Sequence, residues 1–171
     1  MIDQSTNIYT LLKELTKDVG SYYIKQKSLN SIEENGHTVY SHFKQINKPI
    51  TPTLLEQHLQ KDLTLAISVK NSDILYIEYK GKDGFAFGTL LFRLIDKEKF
   101  DVYIIEYSLD TLSIYIKPKF KSDMLLFRKT LEEALESKLT KEWRVYPINS
   151  RPSLGNLIIL PREVISSPWS F

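Results

Sequence analysis

Residues 63–117 read LTLAISVKNSDILYIEYKGKDGFAFGTLLFRLIDKEKFDVYIIEYSLDTLSIYIK. This stretch breaks into short apolar runs with little between them. Its last run is the clearest: Leu112, Ile114 and Ile116 alternate with Ser113, Tyr115 and Lys117, the period-two pattern of a half-buried strand. Strands are expected near 63–69, 73–80, 86–95, 101–108 and 111–117. In 86–95 both parities are apolar, which suits a central strand. The links between them are brief, at 70–72, 81–84, 96–100 and 109–110. Parallel pairing needs a long crossover, so the links favour antiparallel neighbours and a five-stranded meander.

Outward from this core, Pro118 ends the last strand. Met124, Phe127, Leu131, Ala134 or Leu135, and Leu139 then describe the buried stripe of a helix over about 122–138. Two further strands follow, 142–147 and 156–161. On the N-terminal side, Thr51 caps and Pro52 opens a short helix over about 52–61. Ile8, Leu11, Leu12 and Leu15, followed by Val19, Tyr22 and Tyr23, give helical spacing over 7–29, with Gly20 as a candidate break. Asn35-Gly36 is a turn signal, and 39–46 reads as a short helix or an irregular packed segment. The resulting class is α+β: an antiparallel meander backed by helices. Residues 1–61 form a helical subdomain or a layer over the sheet, 62–161 the α+β core, and 162–171 an irregular aromatic tail.

The chain has 171 residues, 42% of them hydrophobic, enough for one domain with a core of useful size. Its 23 Lys and Arg against 21 Asp and Glu give a net charge of +2, which leaves a local basic patch possible. With no cysteine, disulfides, thiolate nucleophiles and thiolate metal sites are excluded. The N-terminal stretch lacks the pattern of a signal peptide, and no run approaches the roughly 18 apolar residues of a membrane helix. The expectation is a soluble, cytoplasmic protein.

The sharpest catalytic pattern is Glu78-Tyr79-Lys80. On a strand, Glu78 and Lys80 share a face. The pattern resembles the E-x-K half of the restriction-endonuclease-like nuclease signature. That resemblance implies Mg²⁺ held by Glu78 and a second carboxylate, with Lys80 beside the attacking water. Asp62 is the best partner if 63–69 and 73–80 form a hairpin, with Glu56 as a further carboxylate. No Pro-Asp pair accompanies Asp62, and a cross-strand charge pair explains the same residues. Gly81-Lys82-Asp83-Gly84 lacks phosphate-loop spacing and reads as a hairpin turn. His37, His42 and His58 form no named metal motif, and ordinary packing roles outweigh a zinc site.

Lys117, Lys119 and Lys121 form a basic edge, joined by Arg128 on the next helix and Arg151 further on. Tyr115 shares the Lys117 face. Cations that neutralise phosphates beside a ring that stacks on bases would suit DNA or RNA. Trp169 and Phe171 are candidate core plugs or protein-interface anchors. The leading functional expectation is a non-enzymatic binding or assembly subunit of a protein or nucleoprotein complex. It would have a protein partner, a nucleic acid as a second possibility, homo- or hetero-oligomers, no membrane and no cofactor. A Mg²⁺-dependent nuclease using Asp62, Glu78 and Lys80 is the enzymatic alternative, and a small-molecule sensor the third.

Overall fold

In the computed structural model, residues 4–34, 36–70, 73–120, 124–138, 142–148 and 156–169 are described. In chain order the elements are α1 (Gln4–Thr16), β1 (Tyr22–Glu34), β2 (His37–Ile46), α2 (Pro52–Leu59), β3 (Leu65–Ser68), β4 (Leu75–Lys80), α3 (Gly84–Leu94), β5 (Phe100–Tyr107), β6 (Thr111–Pro118), α4 (Met124–Lys138), β7 (Trp143–Tyr146) and β8 (Leu157–Ile159). The class is α+β, with two four-stranded antiparallel sheets. The chain divides into two compact units, Met1–Asn71 with Ile148–Glu163, and Ser72–Pro147 with Val164–Phe171. No helix among the described residues is long and apolar enough to cross a membrane.

The first unit carries a sheet of order β2-β1-β3-β8. Helix α1 buries Ile8, Leu11, Leu12 and Leu15 on one stripe. It does not continue to residue 29 as its spacing suggested. Asp18 takes a left-handed φ of 60°, and the chain then enters β1. The Tyr22 and Tyr23 pair that mimicked a helical face is buried in a strand, which can bury adjacent residues on its two faces. Residues 39–46 are likewise strand, paired with β1. Gly36 turns the ribbon at φ +77°, a conformation glycine adopts without steric cost. Thus the helical reading of 1–61 is corrected: two helices flank a long antiparallel ribbon. Helix α2 begins as expected, with Thr51 Oγ1 accepting the Leu54 N–H and Pro52 in the first turn.

The second unit carries a sheet of order β5-β6-β4-β7. Strands β5 and β6 form the expected hairpin, with Ile104 opposite Ile114 and Phe100 opposite Pro118. The five-stranded meander is not formed as one sheet, because β3 and β4 belong to different sheets and the third expected strand is a helix. Helix α3 replaces the strand expected at 86–95. Asp83 Oδ1 accepts the Ala86 N–H at 2.9 Å, capping the helix start. Phe87 and Leu91 then bury one stripe at i, i+4 spacing. Replacing Asp83 with alanine should cost about 1 kcal/mol, read as a lower urea midpoint with an unchanged slope. One face of this sheet packs Leu75, Ile77, Tyr79, Ile114, Ile116 and Val145 into a core with Leu91, Leu131 and Leu135. Phe127 of α4 packs against Phe100, with ring centroids 4.2 Å apart.

Candidate functional site

Glu78 and Lys80 lie on the face of β4 opposite that core, in cross-strand register with Ser113 and Arg144 and with Thr111 respectively. Lys80 Nζ sits 2.9 Å from Glu78 Oε1. The hydrogen bond and charge of Glu78 raise the ammonium above its ordinary value, so Lys80 stays a cation. Both residues line an open pocket of about 270 Å³ with Glu142, Trp143 and Arg144. Next along the face, burial first, with further contributions from Glu78, Glu106 and Tyr146, pushes the Tyr76 phenol up to about 12 against a Ser113 hydrogen bond. It therefore remains a neutral donor at physiological pH.

Asp62 is not beside them in the sheet. It lies at the α2–β3 corner of the first unit, where its N–H donates to Gln57 O. The hairpin that would have carried it to Glu78 is replaced by two separate pairings, β3 with β1 and β8, and β4 with β6 and β7. The nuclease expectation therefore loses its geometric premise. Among the described residues, no group of three or more His, Asp or Glu is placed to hold a metal ion.

The basic set is dispersed in its bonding. Lys119 Nζ donates to Lys97 O at 2.8 Å and lies 3.9 Å from Asp101. Arg128 Nε donates to Glu132 one helical turn on, at 3.1 Å. Lys117 stands opposite Asp101 in the ladder. Lys121 and Arg151 lie outside the described residues. The proposed stacking ring, Tyr115, is only 1% exposed. It belongs to a cross-strand row, Tyr103, Tyr115, Tyr76 and Tyr146, with ring centroids 5.0 Å apart for Tyr115 and Tyr76 and 5.7 Å for Tyr76 and Tyr146. Burial pushes its hydroxyl well above the ordinary phenol value. Tyr115 is thus corrected from a contact ring to a packed one, because strand alternation alone does not show whether the second face of a sheet is wet.

Of its two alternatives, Trp169 takes the core plug. It is 8% exposed, stacked on Phe85 and Phe92, edge-on to Tyr107, and donates from Nε1 to Thr89 Oγ1 at 3.1 Å. A ring committed to its own core is not an interface anchor. Phe171 lies outside the described residues.

His58, set aside as an ordinary packing residue, is a buried and fully hydrogen-bonded polar group of the first unit. It is 0% exposed. Its Nδ1 accepts the Leu65 N–H at 3.1 Å, which leaves Nε2 to donate to Leu160 O at 2.9 Å. The ring is therefore neutral and joins α2, β3 and the strand end after β8. Arg162 doubles the join, donating to His58 O, Leu63 O and Thr64 Oγ1. Burial is the largest cause lowering the imidazole below its ordinary value, and Arg162 adds to it.

What sequence reasoning missed is the outer edge of β2. Strand β3 pairs with β1 at Tyr23 and Ile24, and Lys25 N–H donates to Thr64 O, so beyond Lys25 β1 and β2 form a two-stranded ribbon among the described residues. Gln26 to Leu29 lie opposite His42 alone, an irregularity in the ladder stitched by Asn30 Nδ2 donating to Gln26 Oε1 at 3.2 Å. Strand β2 is the sheet edge over its ten residues, and among the described residues no strand pairs with its outer side. Thr38, Tyr40, His42 and Lys44 are exposed, Tyr40 at 70%, while Val39, Ser41 and Phe43 are half-buried. The Asn35-Gly36 turn was the signal available in the sequence; the alternation on either side of it was too weakly apolar to mark strands.

The fold and these surfaces define an α+β chain whose exposed features are a charged sheet face and an unpaired β-ribbon. Residues 10–75 match a domain family of unknown function, DUF1882. The match spans all of β1, β2, α2 and β3, and so includes the ribbon and His58. No curated protein matches the chain.

Proposed function

We propose that this chain is a non-enzymatic binding and assembly subunit that recruits a protein partner through the β2 edge. The observation that carries the reading is the ten-residue β2 edge of a ribbon projecting past β3, with which no strand among the described residues pairs on its outer side. Proteins usually blunt such edges with proline, dense charge or a covering segment. Here β2 holds no proline and one lysine. A two-stranded ribbon is marginal alone in water, so an added strand would both satisfy the open amides and steady the arm. The exposed apolar side chains of Phe120, Leu125 and Leu126 offer a second contact surface on the other unit.

Size analysis of the chain in a clarified extract of its source cells tests this. The native chain is expected in a particle larger than one copy. Tyr40→Pro, which removes one amide from the outer edge, is expected to run as a single 20.0 kDa chain. A native chain running at that size in the extract would sink the reading.

A further inference from the structure

We propose that the end of the second unit where β6 gives way to α4 docks on an anionic lipid surface. Phe120, Leu125 and Leu126 insert shallowly, and a collar of lysines meets the headgroups. The inference goes beyond the β2 reading and stands without it, because these residues lie on the other unit.

Helix α4 is apolar off its core face only at its start. Met124, Phe127, Leu131 and Leu135 follow the three-and-four spacing of one face, and all four pack into the core of the unit. Leu125 and Leu126 stand about 100° and 200° round the helix from Met124, so they fall off that face. They are 82% and 71% exposed, and Phe120, just past the end of β6, is 65% exposed. Further along α4 the exposed residues are Lys129, Thr130, Glu133 and Glu136, an ordinary wet side. The apolar exposure is therefore a tip and not a stripe. Elsewhere among the described residues the exposed large apolar side chains are isolated along the chain.

Packing sets this tip beside a group of cations. Phe127 packs on Phe100 with ring centroids 4.2 Å apart, and Phe100 stands opposite Pro118 in the ladder. Lys119 N–H donates to Lys99 O at 2.8 Å, and its Nζ donates to Lys97 O at 2.8 Å. Lys97, Lys99, Lys119 and Lys129 are all exposed. Residues 96–101 and 117–129 hold seven Lys and Arg against four Asp and Glu, an excess of three in a chain whose net charge is +2. The positive excess of the whole chain thus belongs to these two segments.

Tip and collar together select the partner. Even at about 200 Å² per side chain, three residues fall short of the roughly 800 Å² that each partner gives a stable protein interface. A helix docking in a protein groove would present a stripe over several turns. Shallow insertion at the headgroup boundary asks only for a few large apolar groups with Lys or Arg around them. No described helix can cross a membrane, and binding at the surface needs none.

Co-sedimentation of the purified full chain with vesicles tests this. Binding is expected to vesicles of phosphatidylcholine with phosphatidylserine, to weaken as salt is raised, and to be absent with phosphatidylcholine alone. Leu125→Gln with Leu126→Gln is expected to weaken it at least about tenfold. Lys97→Gln and Lys99→Gln are expected to cost about fivefold each. All four side chains are exposed, so circular dichroism should be unchanged in every variant. Leu125→Trp should shift its emission to the blue on the mixed vesicles. A chain that stays in solution with the mixed vesicles would overturn the inference. So would equal binding to phosphatidylcholine alone, a double leucine variant that binds like wild type, or a Leu125→Trp emission that does not move on binding. Self-association that the double leucine variant abolishes, without vesicle binding, would assign the tip to a second copy instead. Failure here leaves the β2 reading untouched, since Tyr40→Pro tests that edge separately.

Discussion

Replacing Trp169 with alanine is expected to destabilise the second unit by about 3–5 kcal/mol, the range for deleting a large buried aromatic side chain. The indole packs against Phe85, Phe92 and Tyr107 and donates to Thr89, and most of those contacts have no substitute. Gly88 makes the prediction sharper. A Cβ there would overlap the indole ring, so α3 leaves a hydrogen where any other residue places carbon. Gly88→Ala alone is expected to cost about 1–3 kcal/mol through overpacking. In the Trp169→Ala background the overlap is gone and alanine's better helix propensity remains, worth up to about 1 kcal/mol. Gly88→Ala should therefore change sign between the two backgrounds, an interaction a double-mutant cycle reads directly. Additive effects would mean that the ring does not pack on Gly88. Urea unfolding followed by Trp143 fluorescence reports this unit, because both tryptophans of the chain belong to it.

The second large effect belongs to His58. Alanine at this position strands the Leu65 N–H and the Leu160 carbonyl in a buried site. Each orphaned group costs about 1–3 kcal/mol, so a loss of about 3–5 kcal/mol is expected once the lost packing is added. Far-UV circular dichroism is the appropriate probe, since the first unit has no tryptophan. The same residue gives a pH dependence of fixed sign. Its folded pKa is lowered, chiefly by burial, from 6.5. Above that value both states are neutral and its contribution is fully present. As pH falls below 6.5 the unfolded chain takes up a proton that the folded chain refuses, and stability is lost until the folded pKa is passed. The slope from this one group is at most about 1.4 kcal/mol per pH unit. His37 and His42 are exposed and remain in His58→Ala, so the difference between wild type and variant isolates His58. A variant with the same acid-side slope would refute the neutral-clasp assignment.

Local patterns were readable where one stretch carried its own signal. Leu112, Ile114 and Ile116 marked β6 by alternation, and Thr51-Pro52 marked the start of α2. Helix α3 was misread for a physical reason. Phe85, Phe87, Leu90, Leu91, Phe92 and Leu94 put apolar groups on both parities, which a buried strand and a helix share. Asp83 as a cap was the sign that distinguished them. β1 was misread because Tyr22 and Tyr23 continue the spacing of α1, and only pairing with β2 reveals the strand.

The sequence by itself determined the α+β class, the antiparallel sense of the sheets and the short links between neighbours, because backbone propensity and hydrophobic period are local properties. Only the tertiary structure decided which strands share a sheet, and with that the surroundings of Glu78, Lys80 and Tyr115. The hairpin expected to carry Asp62 toward Glu78 is replaced, because β3 and β4 pair in different sheets. Tyr115 and Trp169 are taken into packing by residues far along the chain. His58 finds its carbonyl 102 residues away. Strand β2 is an edge because β1 covers one side of it and no strand among the described residues covers the other. Each outcome depends on which distant groups satisfy a strand edge or an apolar face, and that competition is settled by the folded chain as a whole.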